Sequence, residues 1–406
     1  MQMHIILYVF LIIERIIQMK DKLNYLLLTA IILLATNLRA PITAVGPLIG
    51  EIKVDLALSD AQAGLITTLP LVAFAIVSPL APKMARQFST EKTIFISLIL
   101  IILGLSIRYF STIPALFLGT IVLGCGIAIG NVLIPSIIKV QFHGKTGLVT
   151  GLYSVSMNLT GAIASGISIP LTQNFGWTWN QALSLWLILA ILAFVGWLPQ
   201  MTNKQTSVSQ TNRNHTPSVW HSKLAWSVSL FMGIQSFIFY VLVAWLPQML
   251  ISQGISSSRS GGMLSLLQLT ILPTTFIIPI IAEKKENQKS LVGLAFGLFF
   301  LGITGLMFSQ SMIITMAVIF IGIAGGIAFS LSMMFFNLRT TSAKSAADLS
   351  GMAQSVGYFL AAIGPFLFGF LHDLSKSWQL PLFLLLGMTI VLLVVGLKAG
   401  SREQIN

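Results

Sequence analysis

The sequence predicts an all-α membrane protein in which twelve transmembrane helices form two six-helix bundles with 6+6 pseudo-symmetry. Three observations carry that expectation. Of 406 residues, 55% are hydrophobic and only 8% are charged, and the mean hydropathy is +0.90, far from the roughly one-quarter charged fraction of soluble domains. Twelve apolar stretches reach the length that a bilayer demands, about 20 residues. A shift of 200 residues lays LGCGIA at 123–128 on IAGGIA at 323–328, Gly151 on Gly351, Pro47 on Pro247 and Pro79 on Pro279. A parallel repeat of this kind places a site between two bundles.

In chain order, residues 3–17 are apolar but interrupted by Glu14 and Arg15, too short and too charged for a span. Met19 opens a short charged lead, so residues 1–18 read either as a misassigned start or as an interfacial helix. An N-terminal cytoplasmic extension, 1–22, precedes the first bundle, 23–199, whose segments are 23–49, 61–81, 93–110, 113–138, 147–170 and 180–199. The longest polar break, 200–223, is a flexible cytoplasmic linker. The second bundle, 224–398, holds 224–250, 261–282, 290–308, 312–337, 348–371 and 378–398, and a tail, 399–406, follows.

Lysine and arginine assign the sides. With the N-terminus inside, seventeen of them, Lys83, Arg86, Lys139 and Lys284 included, fall in cytoplasmic positions, against four outside: Lys53, Arg108, Arg259 and Lys376. Both termini are therefore expected in the cytoplasm, with the chain in a bacterial plasma membrane. The same topology accounts for the net charge of +12, because the basic residues stand singly between apolar runs and do not form the clustered face of a nucleic-acid binder. The single cysteine, Cys125, excludes an internal disulfide or a zinc framework. No removable signal peptide is evident.

The first segment holds the costliest residue. Arg39 is permanently charged inside an apolar stretch, and a charge at mid-bilayer costs on the order of 3 kcal/mol by insertion scales. Pro41 and Pro47 each remove a backbone donor and Gly46 loosens the turn between them, which frees carbonyls beside the guanidinium. Thr36, Thr43, Gly46 and Gly50 share its helical face. A broken helix with a small, polar stripe and a lone cation reads as a ligand cavity; the alternative is an Arg39 that snorkels outward to water.

Between segments two and three, SPLAPKMAR at 78–86 resembles the cytoplasmic signature of the major facilitator superfamily, Gly-x-x-x-Asp-Arg/Lys-x-Gly-Arg/Lys. It keeps Lys83 and Arg86, with Pro82 where the signature has its acid and Ala85 where it has its second glycine. NLRAPITAVGPL at 37–48, LITTLP at 65–70, AFAIVSPLAP at 73–82 and GNVLIPSIIK at 130–139 are similar to the cyanate and nitroimidazole transporter branch of that superfamily, over essentially residues 20–400. The resemblance implies secondary active transport of a small anionic or electronegative solute such as cyanate or a nitroaromatic compound. Its rival is an exporter of a neutral drug or metabolite. Lys83 and Arg86 would then gate the cytoplasmic side.

The remaining polar residues fit that frame. The eleven acids lie in loops, at span ends or in the extension; a cation antiporter usually needs a buried acid, so an anionic or uncharged solute is favoured, with a coupling proton left to Glu51 or Asp55 near the outer mouth. Asn131 repeats as Leu331, so scaffold symmetry does not require it: it contacts substrate or makes an interhelical hydrogen bond. Ser154 with Asn158, and Gln354 with Tyr358, are pairs at four-residue spacing related by the 200-residue shift, and line the pore or bond within one half. Tyr153, Gln235, Tyr240, Trp245, Gln248 and Gln268 are weaker candidates; Trp177, Trp179 and Trp378 read as an interfacial belt. The glycines from 124 to 130 are spaced for helix packing and not for a dinucleotide. No histidine pair has metal-ligand spacing, and no phosphate loop or hydrolase motif occurs. No metal or cofactor is therefore expected, and neither an enzyme nor an ATP-driven pump. A non-transporting sensor would need an output domain for which there is no room. The expected partners are a small-molecule substrate and the lipid bilayer, with the chain acting as a monomer.

Overall fold

A computed structural model describes residues 25–58, 60–201, 219–308 and 310–405. The readings for residues 1–18 and for most of the central linker lie outside the described residues.

The first span is built in three pieces, α1 (Tyr25–Asn37), α2 (Ala40–Thr43) and α3 (Val45–Asp55). The second is α4 (Asp60–Val77), continued after a 54° bend by α5 (Ala81–Phe88). Then come α6 (Thr90–Arg108), α7 (Ile113–Gln141) and α8 (Thr146–Gln173), and a sixth span made of α9 (Trp179–Ser184) and α10 (Leu187–Trp197). The second half is regular: α11 (Lys223–Ser252), α12 (Ser257–Lys284), α13 (Lys289–Gly305), α14 (Ser311–Leu338), α15 (Ala343–Ser375) and α16 (Gln379–Ala399).

Among the described residues, 9 helices or helix chains are long and apolar enough to cross a membrane unaided, and the bent second span makes 10. The other two are α13, apolar but only 17 residues long, and α8. In α8, Ser154, Ser156, Asn158, Thr160, Ser165 and Ser168 dilute the apolar character. Its polarity is a consequence of position, because α8 packs on both halves of the molecule.

The break in the first span follows from proline chemistry. Pro41 has no N–H for the Asn37 carbonyl and Pro47 none for that of Thr43. Side chains staple the loosened pieces to their neighbours: Asn37 Nδ2 donates to the Leu189 carbonyl at 3.1 Å, Thr43 Oγ1 to that of Gly161 at 2.8 Å, Ser168 Oγ to that of Ala44 at 3.1 Å, and Arg108 to that of Pro41 at 3.0 Å. Arg108, counted among the cations of the outer side, does not stand free in a loop. It is fully buried instead, because the kinked span offers its guanidinium a carbonyl inside the bundle.

The halves are latched at one end, the end that carries Lys83, Arg86, Lys139 and Lys284. A Cβ at Gly147, Gly151 or Gly351 would lie 2.5, 2.8 and 2.8 Å from the backbone oxygens of Pro279, Phe276 and Ser78 in the opposite half. At the far end of the same or facing helices, Gly64, Gly166, Gly261 and Gly262 have no atom within 4 Å of that position. The bundles thus close on each other at the basic end and part toward the other.

Candidate functional site

Where the two bundles meet, Arg39, Asn158, Gln235, Ser236, Phe239, Tyr240, Ile271, Gly325, Phe329 and Tyr358 enclose a cavity of about 30 Å³. Arg39 occupies the turn between α1 and α2, in neither helix, with φ −131° and ψ −41°. Its stem passes α8 at Gly161, where a Cβ would stand 2.9 Å from Arg39 Cγ; the missing side chain lets the stem run close against α8. The Arg39 Cζ lies 4.9 Å from the centroid of the Phe239 ring, which α11 contributes from the opposite half. Among the described residues, no acid lines the cavity.

Of the residues singled out in the sequence, Arg39, Asn158 and Tyr358 come together here, with the weaker candidates Gln235 and Tyr240. Tyr358 also meets Phe74 of α4, ring centroids 4.8 Å apart. Thr36 and Thr43 lie outside the lining, their hydroxyls donated to the carbonyls of Leu33 and Gly161. Asn131 accepts a hydrogen bond of 3.0 Å from Tyr153 on the next helix. Gln354 is buried one turn from Tyr358 and donates to Ser350 Oγ at 3.0 Å. Trp179 and Trp378 are not belt residues: Trp179 is buried and donates to Asp55 at 2.8 Å, and Trp378 is stacked under His372 with centroids 3.8 Å apart. Each indole finds a polar or aromatic partner inside its own half.

The basic end carries a second constellation. Arg86 on α5 pairs with Asp348 on α15 at 2.6 Å. Glu283, at the end of α12, accepts the Gly147 N–H at the start of α8 at 2.8 Å, where the helix dipole favours a carboxylate. Lys139 donates to the Asn337 carbonyl at 2.6 Å and to Thr340 Oγ1 at 3.0 Å. All three contacts join the halves. Lys83 lines, with Arg86, Lys344, Asp348 and Trp220, a cavity of about 460 Å³ beside the Arg86 pair. Sequence reasoning missed Phe239, Lys139 and Glu283. For the last the signal was present, since the 200-residue shift lays Lys83 on Glu283 and Arg86 on Glu286, the same stations with the charge reversed.

Two six-helix bundles closing around one cationic cavity define a membrane transporter for small solutes. The chain belongs to the Major Facilitator Superfamily, which matches residues 26–362; it is a transporter and not an enzyme. It is 40% identical to the 2-nitroimidazole transporter of Escherichia coli (strain K12), over 96% of this chain and 98% of that protein. It is 27% identical to the cyanate transport protein CynX of the same organism, over 90% and 96%. Among solved structures, the proton:xylose symporter XylE superposes with a TM-score of 0.76 at 12% identity, covering 93% of this chain and 97% of that one, a likeness of fold.

Proposed function

We propose that this chain is a secondary active transporter, working by alternating access, for a small anionic or electronegative solute such as cyanate or a nitroaromatic compound. Arg39 is its electrostatic anchor. The observation that carries the reading is the guanidinium between the bundles: it has an aromatic face for a neighbour and no acid in the cavity wall. A cation so placed is costly until a ligand compensates it. Asn158 and Tyr358 contact the solute beside it, Thr36 and Thr43 hold the broken span that carries it, and Asn131 and Gln354 stiffen the two helices that face the route. Lys83 and Arg86 gate the basic end, which faces the cytoplasm of a bacterial plasma membrane together with both termini. The protein works as a monomer, with a proton as coupling ion. The names of the two relatives support the solute class.

Binding and counterflow in proteoliposomes test the reading. Arg39→Lys keeps the charge but loses the planar fork of donors, and Arg39→Ala loses both. Removing one charged partner from a desolvated contact costs about 2 to 5 kcal/mol, so affinity in Arg39→Ala should fall by about 30-fold or more. Wild-type affinity in a well-folded Arg39→Ala protein ends the proposal.

A further inference from the structure

We infer that Phe239 is a removable plug that holds, in the empty protein, the place of a flat ring on the substrate. The solute taken by this site is then a compact planar ring bearing a two-oxygen group, nitro or carboxylate, and not a linear anion. The inference rests on the proposed transport reading and narrows it.

Space comes first. A cavity of about 30 Å³ has room for about one water. No aromatic ring fits beside Arg39 as the site stands, so a side chain has to leave. Of the half-buried rings that line the cavity, Phe239, Tyr240 and Phe329, Phe239 is the one that rests against the Arg39 cation. It is half-buried, while its neighbours Phe237 and Ile238 are locked in the core at 1% and 0% exposure. Its ring lies under the Arg39 Cζ and meets Tyr240 edge to face at 5.3 Å.

Chemistry then selects what replaces it. Phe239 gives the guanidinium a ring face at 4.9 Å, and no described side-chain hydrogen bond engages its N–H groups. Those groups form a planar fork, matched by two oxygens on one atom and not by a linear anion, which offers one terminal atom at a time. An arriving ring would find aromatic walls in Tyr240, Phe329 and Tyr358 and amides in Asn158 and Gln235. Carried in on its nitro or carboxylate group, it takes over the contacts that Phe239 gives up. A linear anion displaces the plug and puts nothing in its place.

The test is equilibrium binding of 2-nitroimidazole, benzoate, imidazole and cyanate to the full-length protein in detergent, for wild type, Phe239→Ala and Phe239→Leu. In wild type the two ring compounds with a two-oxygen group should bind about 30-fold or more tighter than imidazole, which lacks that group, and tighter than cyanate. In Phe239→Ala, cyanate should gain about tenfold, because the cation–π contact no longer has to be broken. The ring compounds should lose nothing. Phe239→Leu, which keeps bulk without an aromatic face, gives the same direction if the alanine protein does not fold. Equal affinity of wild type for cyanate and 2-nitroimidazole overturns the inference while leaving the transport reading standing. So does a loss of ring affinity in both variants with cyanate unchanged, since Phe239 is then a stacking wall. If none of the four compounds binds wild type, the transport reading itself fails.

Discussion

At the scale of single residues, the position of one guanidinium depends on one missing side chain. Gly161 leaves the gap through which the Arg39 stem passes, with 2.9 Å from a would-be Cβ to Arg39 Cγ. A methyl group there pushes a flexible stem and not a backbone. Gly161→Ala is therefore expected to fold with a melting temperature near wild type, helped by the higher helix propensity of alanine. Its solute affinity should nonetheless fall about tenfold, because a displacement of under 1 Å is enough to spoil a paired hydrogen bond. Differential scanning fluorimetry and a binding titration on one preparation separate the two effects; unchanged affinity would mean that Arg39 tolerates the shift. The cavity position of Arg39 was legible in the sequence, since a charge among apolar residues with two prolines close behind it has few explanations. Phe239 was not: a phenylalanine in a membrane helix has no signature, and the chain has 26 phenylalanines. Thr36 and Thr43 were on the right face but spend their hydroxyls on backbone carbonyls, a choice that helical spacing cannot reveal.

At the scale of elements, two contacts of opposite polarity hold the basic end. The Arg86 and Asp348 side chains are 38% and 27% exposed, so their pair is worth at most about 1 kcal/mol. Glu283 combines a hydrogen bond with the positive end of α8, and a cap of that kind contributes about 0.5 to 2 kcal/mol. Glu283→Ala should accordingly shift the balance toward a form open at the basic end more than Arg86→Ala does. The measurement is the distance distribution between spin labels on α5 and α15. A larger effect from Arg86→Ala would invert the ranking. The spans that house these contacts were legible almost throughout, because hydrophobic length is a coarse and strong signal. The seam between the halves was not, since it is written in helix ends. Whether Glu283 caps a helix of the opposite bundle is decided by tertiary packing and not by local pattern. Trp179 and Trp378 misled for the same reason: a tryptophan at a span end suits the lipid interface, until a neighbour such as Asp55 or His372 offers it a place inside.

At the scale of the whole molecule, the floor of the cavity carries buried polar atoms that its own packing leaves unpaired. On α8, Ser154 lies one turn from cavity-lining Asn158 and close to Gly151, which is packed on the other half; on α15, Gln354 stands in the same relation to Tyr358 and Gly351. Both residues are 0% exposed, and Ser154 Oγ and Gln354 Oε1 have no hydrogen-bond partner, nor has Thr150 Oγ1 one turn further on. Buried polar atoms left unpaired cost about 1 to 3 kcal/mol each, a penalty relieved once water or solute reaches them. Such a track is expected on a path that is dry in one arrangement of the bundles and wet in another. Ser154→Cys in a Cys125→Ser background places a reporter on it. A membrane-impermeant thiol reagent supplied from the basic end should label this cysteine slowly in the latched protein. With Glu283→Ala added, labelling should quicken by about fivefold, the factor that corresponds to about 1 kcal/mol of lost latch. A solute that favours closure at the basic end should slow it again. Labelling that ignores both the latch mutation and the solute would mean that Ser154 never meets the aqueous path, and its unpaired hydroxyl would then be a cost of packing α8 against two halves at once.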